Sequence, residues 1–268
     1  MIYGWSTRSG RILTLTLLLD LIPNLAAAAI GAVAVRTYIT LQRQIRYRHL
    51  DALLPANKVI QIVMPTIVVP SFEIREGDGT RRLVDSHSNV LWVPLGDSLA
   101  VGRFLTRAAP LLRRKYQILQ VTDQSYDPEQ RLSIAFGGQY VNDLSNSAIR
   151  RHLPDFVTPD VDEVRIGSTA LRPTIDRTGR LQNDYGFILS TSDDQGRRVV
   201  VIWGIHSPGT EIAVRALFEI RPNSRAGKLL KSGENAFIVT QGRVNGLRVS
   251  DIRVTHAIRA IEPASPSS

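Results

Sequence analysis

The stretch RLSIAFGGQYVNDLSNSAIRRHL, residues 131–153, predicts a β-strand that passes through a glycine loop into a helix. Its first part, RLSIAFGG (131–138), is a short apolar run that ends at two glycines, a pattern that favours a buried strand. Asp143 then precedes residues with helical spacing, and aspartate is a preferred residue at a helix start. The segment DEVRIGS (162–168) predicts the next strand. Strand and helix that alternate at this spacing are typical of parallel βαβ units, so we expect an α/β fold.

The same alternation extends from this stretch toward both ends of the chain. On the amino-terminal side we expect a strand within residues 58–70, a helix at 96–114 and a strand at 116–122. On the carboxyl-terminal side, a strand at 185–191 precedes a strand, a loop and a helix at 197–220. This order predicts a Rossmann-like, mostly parallel sheet with helices on both faces.

The end of the chain has a different pattern. NAFIVTQGRV and LRVSDIRVTHAIRAI alternate apolar and polar residues and are joined through Asn245-Gly246. Asn-Gly is the strongest short-range signal for a tight hairpin turn. We therefore expect a C-terminal antiparallel hairpin on an edge of the sheet, followed by a disordered tail at 263–268.

An apolar segment near the start of the chain predicts a membrane anchor. ILTLTLLLDLIPNLAAAAIGAVAV, residues 12–35, contains 24 residues, of which only Asp20 is charged. At a rise of about 1.5 Å per residue, such a helix is long enough to cross the roughly 30 Å hydrocarbon core. We expect a single-pass protein of the cell membrane, with the lipid bilayer as a partner. A secretory signal with GAVA as its cleavage site is the competing interpretation.

Asp20 has two interpretations inside this segment. A charge within the bilayer is costly unless it is paired, neutralised or close to the headgroups. Asp20 either pairs between the membrane helices of a homo-oligomer, or is protonated or shallow enough to reach the headgroups. The small residues at 26–34 permit the close helix approach that pairing needs.

Basic residues around the apolar segment predict its orientation and the division of the chain. Only Arg8, Arg11 and the N-terminal amine precede the segment, whereas four arginines follow it at positions 36, 43, 46 and 48. The positive-inside rule therefore places the large C-terminal part in the cytoplasm. The expected parts are an N-terminal flank (1–11), a transmembrane helix (12–35), a juxtamembrane helix (36–54), a soluble α/β domain (55–262) and the tail (263–268).

The net charge of +9 on 268 residues does not indicate nucleic-acid binding. Residues 1–58 hold seven basic and two acidic residues, which places +5 beside the membrane, and the rest of the chain carries only +4. No nucleic-acid-binding motif accompanies that charge. The chain has no cysteine, and its five histidines show no metal-ligand spacing, so we predict no metal site. No cofactor is indicated.

Two loops carry the candidate site residues, because ligands of open parallel sheets bind where strands end and helices begin. The first loop follows the strand at 131–138, and the second, GIHSPGTE at 204–211, enters a helix. Asp184, in a turn before the strand at 185–191, could accept a ribose hydroxyl if the sheet brings it beside either loop. We expect these loops to bind a small anionic ligand, a nucleotide or its derivative. The candidate residues are Gly137, Gly138, Asn142, Asp184, Gly204, His206, Ser207, Gly209 and Thr210.

Two further functions stay open. A membrane-tethered hydrolase could use Ser207 as nucleophile, His152 or His256 as base and Asp184 as its orienting group. The second loop is neither a Walker loop, because it lacks the Gly-Lys-Ser/Thr ending, nor a nucleophile elbow, because one extra residue precedes the serine. In a non-catalytic envelope or assembly protein, both loops would be structural turns.

Three stretches, FGGQYVN, NDYGFIL and GIHSPGTEIAV, resemble motifs of an α/β domain of prokaryotic membrane-anchored proteins. The first resembles the Gly-Gly-Pro-x-x-Asn motif of some archaeal surface-layer proteins, with Gln139 in place of the proline. The resemblance covers roughly residues 130–218. The order of anchor helix and Rossmann-like domain is also similar to that of nucleotide-sensing proteins of bacterial signalling and defence. The two loops, Asp20 and the basic juxtamembrane helix together predict a sensor in which ligand binding alters the association of the membrane helices.

Overall fold

The computed structural model describes residues 29–42, 45–51, 59–65, 67–68, 71–75, 81–85, 91–92, 95–112, 117–122, 125–160, 162–192, 195–246 and 248–260. The chain forms two units, Met1–Tyr47 and Arg48–Ser268. The N-terminal flank, most of the expected transmembrane helix and the tail at 263–268 lie outside the described residues.

In the first unit, residues 29–42 form helix α1. Every side chain of this helix is exposed, including Ile30, Val33 and Leu41, each more than half exposed. Among the described residues, every helix is too short or too polar to cross a lipid bilayer.

The second unit contains the remaining elements. In chain order they are α2 (Arg48–Asp51), β1 (Val59–Met64), β2 (Ile67–Val68), β3 (Ser71–Arg75), β4 (Arg81–Asp85), β5 (Leu91–Trp92), α3 (Leu95–Leu112), β6 (Gln117–Thr122), β7 (Leu132–Phe136), α4 (Asp143–His152), β8 (Phe156–Asp160), β9 (Glu163–Ile166), β10 (Thr169–Leu171), β11 (Thr174–Ile175), β12 (Leu181–Ser192), β13 (Arg198–Gly204), α5 (Ser207–Glu219), α6 (Arg225–Ser232), β14 (Ala236–Asn245) and β15 (Arg248–Arg259).

The main sheet has the strand order β15-β14-β12-β13-β7-β1-β6, with β11 paired to β12. Strands β6, β1, β7 and β13 are parallel to one another. β14 and β15 form the expected antiparallel hairpin at the edge, so the α/β class and this hairpin are confirmed. β12 is antiparallel to both of its neighbours, which makes the sheet mixed. As a result, the start of β12 lies at the edge where β13 ends.

Helices lie on both faces of the sheet. Successive side chains of a strand point to opposite faces, so the buried residues of the strands pack against helices on both sides. On one face, Phe104 of α3 packs against Phe136 of β7 and Phe218 of α5, with ring centroids 5.8 and 5.7 Å apart. On the other face, Trp203 of β13 belongs to a cluster that includes Ile149 of α4. Strands β1 and β7 and the middle of β13 are therefore buried on both sides, whereas β6 at the edge of the sheet is largely exposed.

A separate three-stranded sheet, β10-β9-β8, follows α4. Residues 162–168, expected as a strand of the parallel sheet, instead contribute β9 to this small antiparallel sheet. Phe156 of β8 packs its ring edge against Phe187 and Trp203, at 5.5 and 5.6 Å. The small sheet thereby covers the aromatic end of the α4 face. Charged residues alternate with apolar ones in β9, a pattern that suits a sheet with one solvated face better than a buried parallel strand.

Candidate functional site

The two predicted loops end neighbouring strands at the same edge of the sheet. Phe136 of β7 is level with Ile202 of β13, and the Gly137 amide donates to the Ile202 carbonyl at 3.1 Å. Gly138 lies against Trp203, whose ring would be 3.2 Å from a Cβ added at that glycine. Gly204 follows directly on the neighbouring strand. The parallel register therefore brings the first and second loops close together.

Asp184 reaches the same edge because β12 is antiparallel to β13. Gly186 is level with Gly204, and the Ile205 amide donates to the Tyr185 carbonyl at 3.1 Å. Residues 183–186, expected as a turn, are therefore part of the long strand β12. The sheet order thus brings Asp184 beside the second loop.

His206 lies between two carboxylates. Its Nε2 is 2.7 Å from Oδ1 of Asp162, in the turn between β8 and β9, and its Nδ1 is 3.5 Å from Oδ1 of Asp184. The two acids differ in burial, since the side chain of Asp162 is 53% exposed and that of Asp184 is fully buried. His206 is about one third exposed, so its ring separates a solvent-facing acid from an internal one.

Asp184 caps the start of α5 from outside the helix. His206 is the N-cap residue of α5, yet its side chain makes no capping hydrogen bond. The Asp184 carboxylate instead accepts the amides of Tyr185 at 2.8 Å and of His206 at 3.3 Å, with a further backbone contact to Gly209. A carboxylate is favourable at this end of a helix, which has free amides and a partial positive charge. The Asp184 carboxylate has no exposed surface, so a bound ligand would contact the ring of His206 and would not contact Asp184 directly.

Three of the glycines allow this close packing. A Cβ at Gly186 would lie 2.2 Å from the Gly209 carbonyl oxygen, and one at Gly204 would lie 2.4 Å from the Thr210 amide. At Gly209, a Cβ would lie 2.1 Å from the carbonyl oxygen of Tyr185. Gly204 and Gly209 therefore let β12, β13 and α5 approach one another, and this packing does not depend on a ligand.

The start of α3 packs against the start of α5. A Cβ at Gly96 would lie 2.1 Å from the Cβ of Ser207, and the buried carboxylate of Asp97 accepts a hydrogen bond from Thr210. Burial raises the pKa of Asp97, and the Thr210 hydrogen bond opposes this shift. Thr210 is itself buried. The Thr210 hydrogen bond therefore joins α5 to α3. Ser207, at the start of α5, is exposed.

Asn142 has a structural position at the end of the first loop. It is the N-cap of α4, where its side-chain oxygen accepts the Ser145 amide at 3.1 Å. Its Nδ2 donates to the carbonyls of Phe136 at 3.1 Å and Val63 at 3.4 Å. These hydrogen bonds of the buried Asn142 side chain connect the start of α4 to the ends of β7 and β1.

The small sheet connects the two loops. Thr158 of β8 contacts the side chains of Gln139 and Tyr140 from the first loop, and Asp162 at the other end of β8 contacts His206 from the second. We call the surface formed by Gly138, Tyr140, Thr158, Asp162 and His206 the rim. Tyr140, Thr158 and Asp162 were not predicted as site residues from the sequence. The clustered acids of DFVTPDVDEVR were the one available signal for Asp162, but nothing in that pattern pointed to His206.

The structure places the two histidines of the expected hydrolase arrangement on elements other than those that carry Ser207 and Asp184. His152 is buried at the end of α4, and His256 is on β15, at the far side of the sheet. Asp184 lies beside His206 instead, because β12 and β13 are neighbours. Within the part of the chain that the structure describes, no group of three His, Asp or Glu side chains has a geometry suited to a metal ion.

His206 gives stability a defined pH dependence. The nearby Asp184 carboxylate raises the pKa of His206 above its ordinary value, burial opposes the rise, and Asp162 adds to it. Burial also raises the pKa of Asp184, and His206 and nearby amides oppose that shift. A raised histidine pKa stabilises the folded state fully below the unfolded pKa, and this contribution is lost as the pH rises through the folded pKa.

We therefore expect the urea concentration at the unfolding midpoint to decrease as the pH is raised from about 6 to about 9. His206→Gln removes the titrating group, keeps both acids and should flatten this profile. Urea titrations of both proteins across the range measure the difference. Equal slopes for the two proteins would contradict a charged His206 in the folded state.

We find no family model, no curated protein and no solved structure that matches this chain. The resemblance noted for residues 130–218 therefore stays a prediction, and the candidate site rests on its own geometry.

Proposed function

We propose that this protein is a membrane-anchored sensor whose α/β domain binds a nucleotide or nucleotide derivative at the rim. The observation that carries the proposal is His206, held between Asp162 and Asp184 at the edge where the parallel strands end. This edge is where open α/β sheets bind ligands.

His206 supports recognition of an anionic group. Its raised pKa increases the protonated fraction of the ring relative to an ordinary histidine, and its Nε2 faces an acid that is half exposed to solvent. A phosphate oxygen can take the Nε2 hydrogen bond in place of Asp162. Asp184 then acts as a positioning residue, because it holds the ring from the buried side.

Asp162 and Tyr140 support recognition of the nucleoside part. Once released from His206, the Asp162 carboxylate can accept hydrogen bonds from ribose hydroxyls, as acidic residues do in dinucleotide folds. Tyr140 is 78% exposed and contacts Thr158 through its hydroxyl, so its ring is available for stacking with a base.

The anchor in this proposal is the apolar segment at 12–35. Association of such segments through Asp20 would give a homo-oligomer in the membrane. A ligand that contacts both loops and the β8–β9 turn would stabilise the conformation in which these elements lie together. Such a shift between conformations is how a sensor responds to its ligand.

A thermal-shift screen of the full chain in detergent tests ligand binding at the rim. The compounds are nucleotides, cyclic nucleotides and sugar phosphates. A ligand at about 100 times its Kd adds about 2.7 kcal/mol of stability, which should raise Tm by about 5 °C or more. We expect His206→Ala and Asp162→Asn to abolish the shift.

Asp155→Asn is the matched control, since Asp155 is another exposed acid next to β8 but lies outside the rim. This variant should keep the full shift. If no compound shifts Tm, or if the shift survives both rim substitutions, the proposal is wrong and the envelope or assembly function becomes the better one.

A hydrolase is the second candidate, and the orientation of His206 favours it. Nδ1 lies 3.5 Å from the buried Asp184 carboxylate, and Nε2 faces the rim. A shortening of the Nδ1–Asp184 distance to a hydrogen bond would give the arrangement of a histidine base with its orienting acid. Assays with aryl esters and aryl phosphates test this function. Turnover that disappears in His206→Ala and persists in Asp155→Asn would support it, and turnover unchanged in His206→Ala would exclude His206 as the base.

A further inference from the structure

A cavity of about 470 Å³ lies between β15, the end of α5 and the start of α6. It is far from the rim, since His206 immediately precedes α5 and the 13 residues of this helix span about 20 Å at the usual helical rise. Its volume falls within the usual range for small-molecule sites, about 300–1,000 Å³. This cavity has no part in the proposed nucleotide site.

The walls of the cavity are largely apolar. Ile220 and Ala257 are buried in it, whereas Val254 and Ile258 remain 38% and 37% exposed. Both exposed residues belong to β15, whose only partner among the described strands is β14. Apolar surface is therefore open to solvent along the edge of the sheet.

Two arginines also line this cavity. Neither Arg221 nor Arg225 makes a side-chain hydrogen bond or ion pair with the described residues. Their neighbours on β15 differ, since Arg253 binds Gln241 and Arg259 binds Glu234 at 2.8 Å.

The acid in the cavity wall does not neutralise these arginines. Oε1 of Glu219 lies 3.4 Å from Arg107 of α3 and 3.9 Å from Arg215 of α5. His256 adds an imidazole ring to the β15 side of the cavity. The cavity thus combines an apolar wall with two unneutralised guanidinium groups.

We propose that this cavity binds a small amphipathic anion. Arg221 and Arg225 hold its carboxylate, phosphate or sulfate group, because guanidinium groups donate paired hydrogen bonds to such oxygens. An alkyl chain or ring of the same molecule covers Val254, Ile258 and Ile220. A second copy of the chain does not fit this description, because its own edge would bring further arginines against these two.

The absence of cysteine from the chain permits a direct test by cysteine protection. Val254→Cys places a thiol in the cavity wall, and Val157→Cys places one on exposed β8 as the matched control. Full-length proteins in detergent are alkylated with a maleimide in the presence of octyl phosphate, inorganic phosphate or octanol. At about ten times its Kd, a ligand should slow alkylation about tenfold.

We expect octyl phosphate to protect the thiol of the Val254→Cys protein and to leave that of the Val157→Cys protein unchanged. The added pair R221Q and R225Q should abolish this protection, and inorganic phosphate or octanol should protect far less at the same concentration. Equal protection by octanol, or protection that survives the arginine substitutions, would contradict the proposal that the two arginines bind an anionic head group. Protection by an acidic peptide but not by octyl phosphate would overturn a small-molecule site in favour of strand addition at β15.

Discussion

Asp184→Ala should lower the free energy of unfolding by about 2–6 kcal/mol, because it leaves two backbone amides without their acceptor at about 1–3 kcal/mol each. The carboxylate is fully buried and accepts the amides of Tyr185 and His206. Its removal leaves those amides and the start of α5 without an acceptor, and it leaves His206 without its internal acid. Urea unfolding followed by the fluorescence of buried Trp203 measures the loss.

Asp162→Ala is the matched control, because Asp162 contacts the other nitrogen of the same histidine. Its carboxylate is 53% exposed, so its pair with His206 should contribute at most about 1 kcal/mol. Similar losses in the two variants would show that the burial of Asp184 does not determine its contribution. A loss below about 1 kcal/mol in Asp184→Ala would exclude its role as the cap of α5.

Gly209→Ala should destabilise the protein by about 3 kcal/mol or more, at or above the upper end of the usual cost of overpacking. The added Cβ would lie 2.1 Å from the Tyr185 carbonyl oxygen, 2.8 Å from Cα of Gly204 and 2.9 Å from Oδ2 of Asp184. Two of these atoms are backbone and the third is a buried carboxylate oxygen, so none can move without shifting β12, β13 or the α5 cap. Urea unfolding again measures the effect.

Gly102→Ala separates this steric effect from the general effect of replacing glycine. Gly102 is within α3, and a Cβ there meets no atom within 4 Å. Alanine should stabilise the helix by about 0.5–1 kcal/mol. If both substitutions change stability in the same direction, contact at Gly209 does not explain the loss.

Much of the second unit could be predicted from local pattern. The run at 131–136 and the capped helix after it are β7 and α4, and 197–220 contains β13 and α5. β14 and β15 form the expected hairpin, but Asn245 ends β14 and pairs with Arg248, so the connection begins at Gly246. Each of these features depends on residues that are near one another in the chain, namely an apolar run, a helix cap or a turn dipeptide.

The missed features depend on residues that are distant in the chain. Residues 183–186 were expected as a turn because Asn, Asp and Gly favour turns. In the structure they pair with β13 and β14, and these tertiary hydrogen bonds outweigh the local preference. Residues 162–168 have a strand pattern, but spacing alone could not show that this strand belongs to a second sheet.

Part of the candidate site could likewise be predicted from local pattern, and part of it could not. The second loop was found from its own residues, and His206 remains its central group. Its two acids come from positions 22 and 44 residues earlier in the chain, which are brought to it by the antiparallel β12 and by the turn after β8. No local pattern specifies such contacts.

The sequence by itself determined the α/β class, the strand-loop-helix units, the C-terminal hairpin and the loop that contains His206, because periodicity, caps and turn residues act over a few positions. Only the tertiary structure decided the strand order, the reversed direction of β12, and the burial that makes Asp184 an internal cap and Asp162 a surface partner. Burial and pairing of charges depend on which distant segments exclude water from one another, and that is a property of the folded chain.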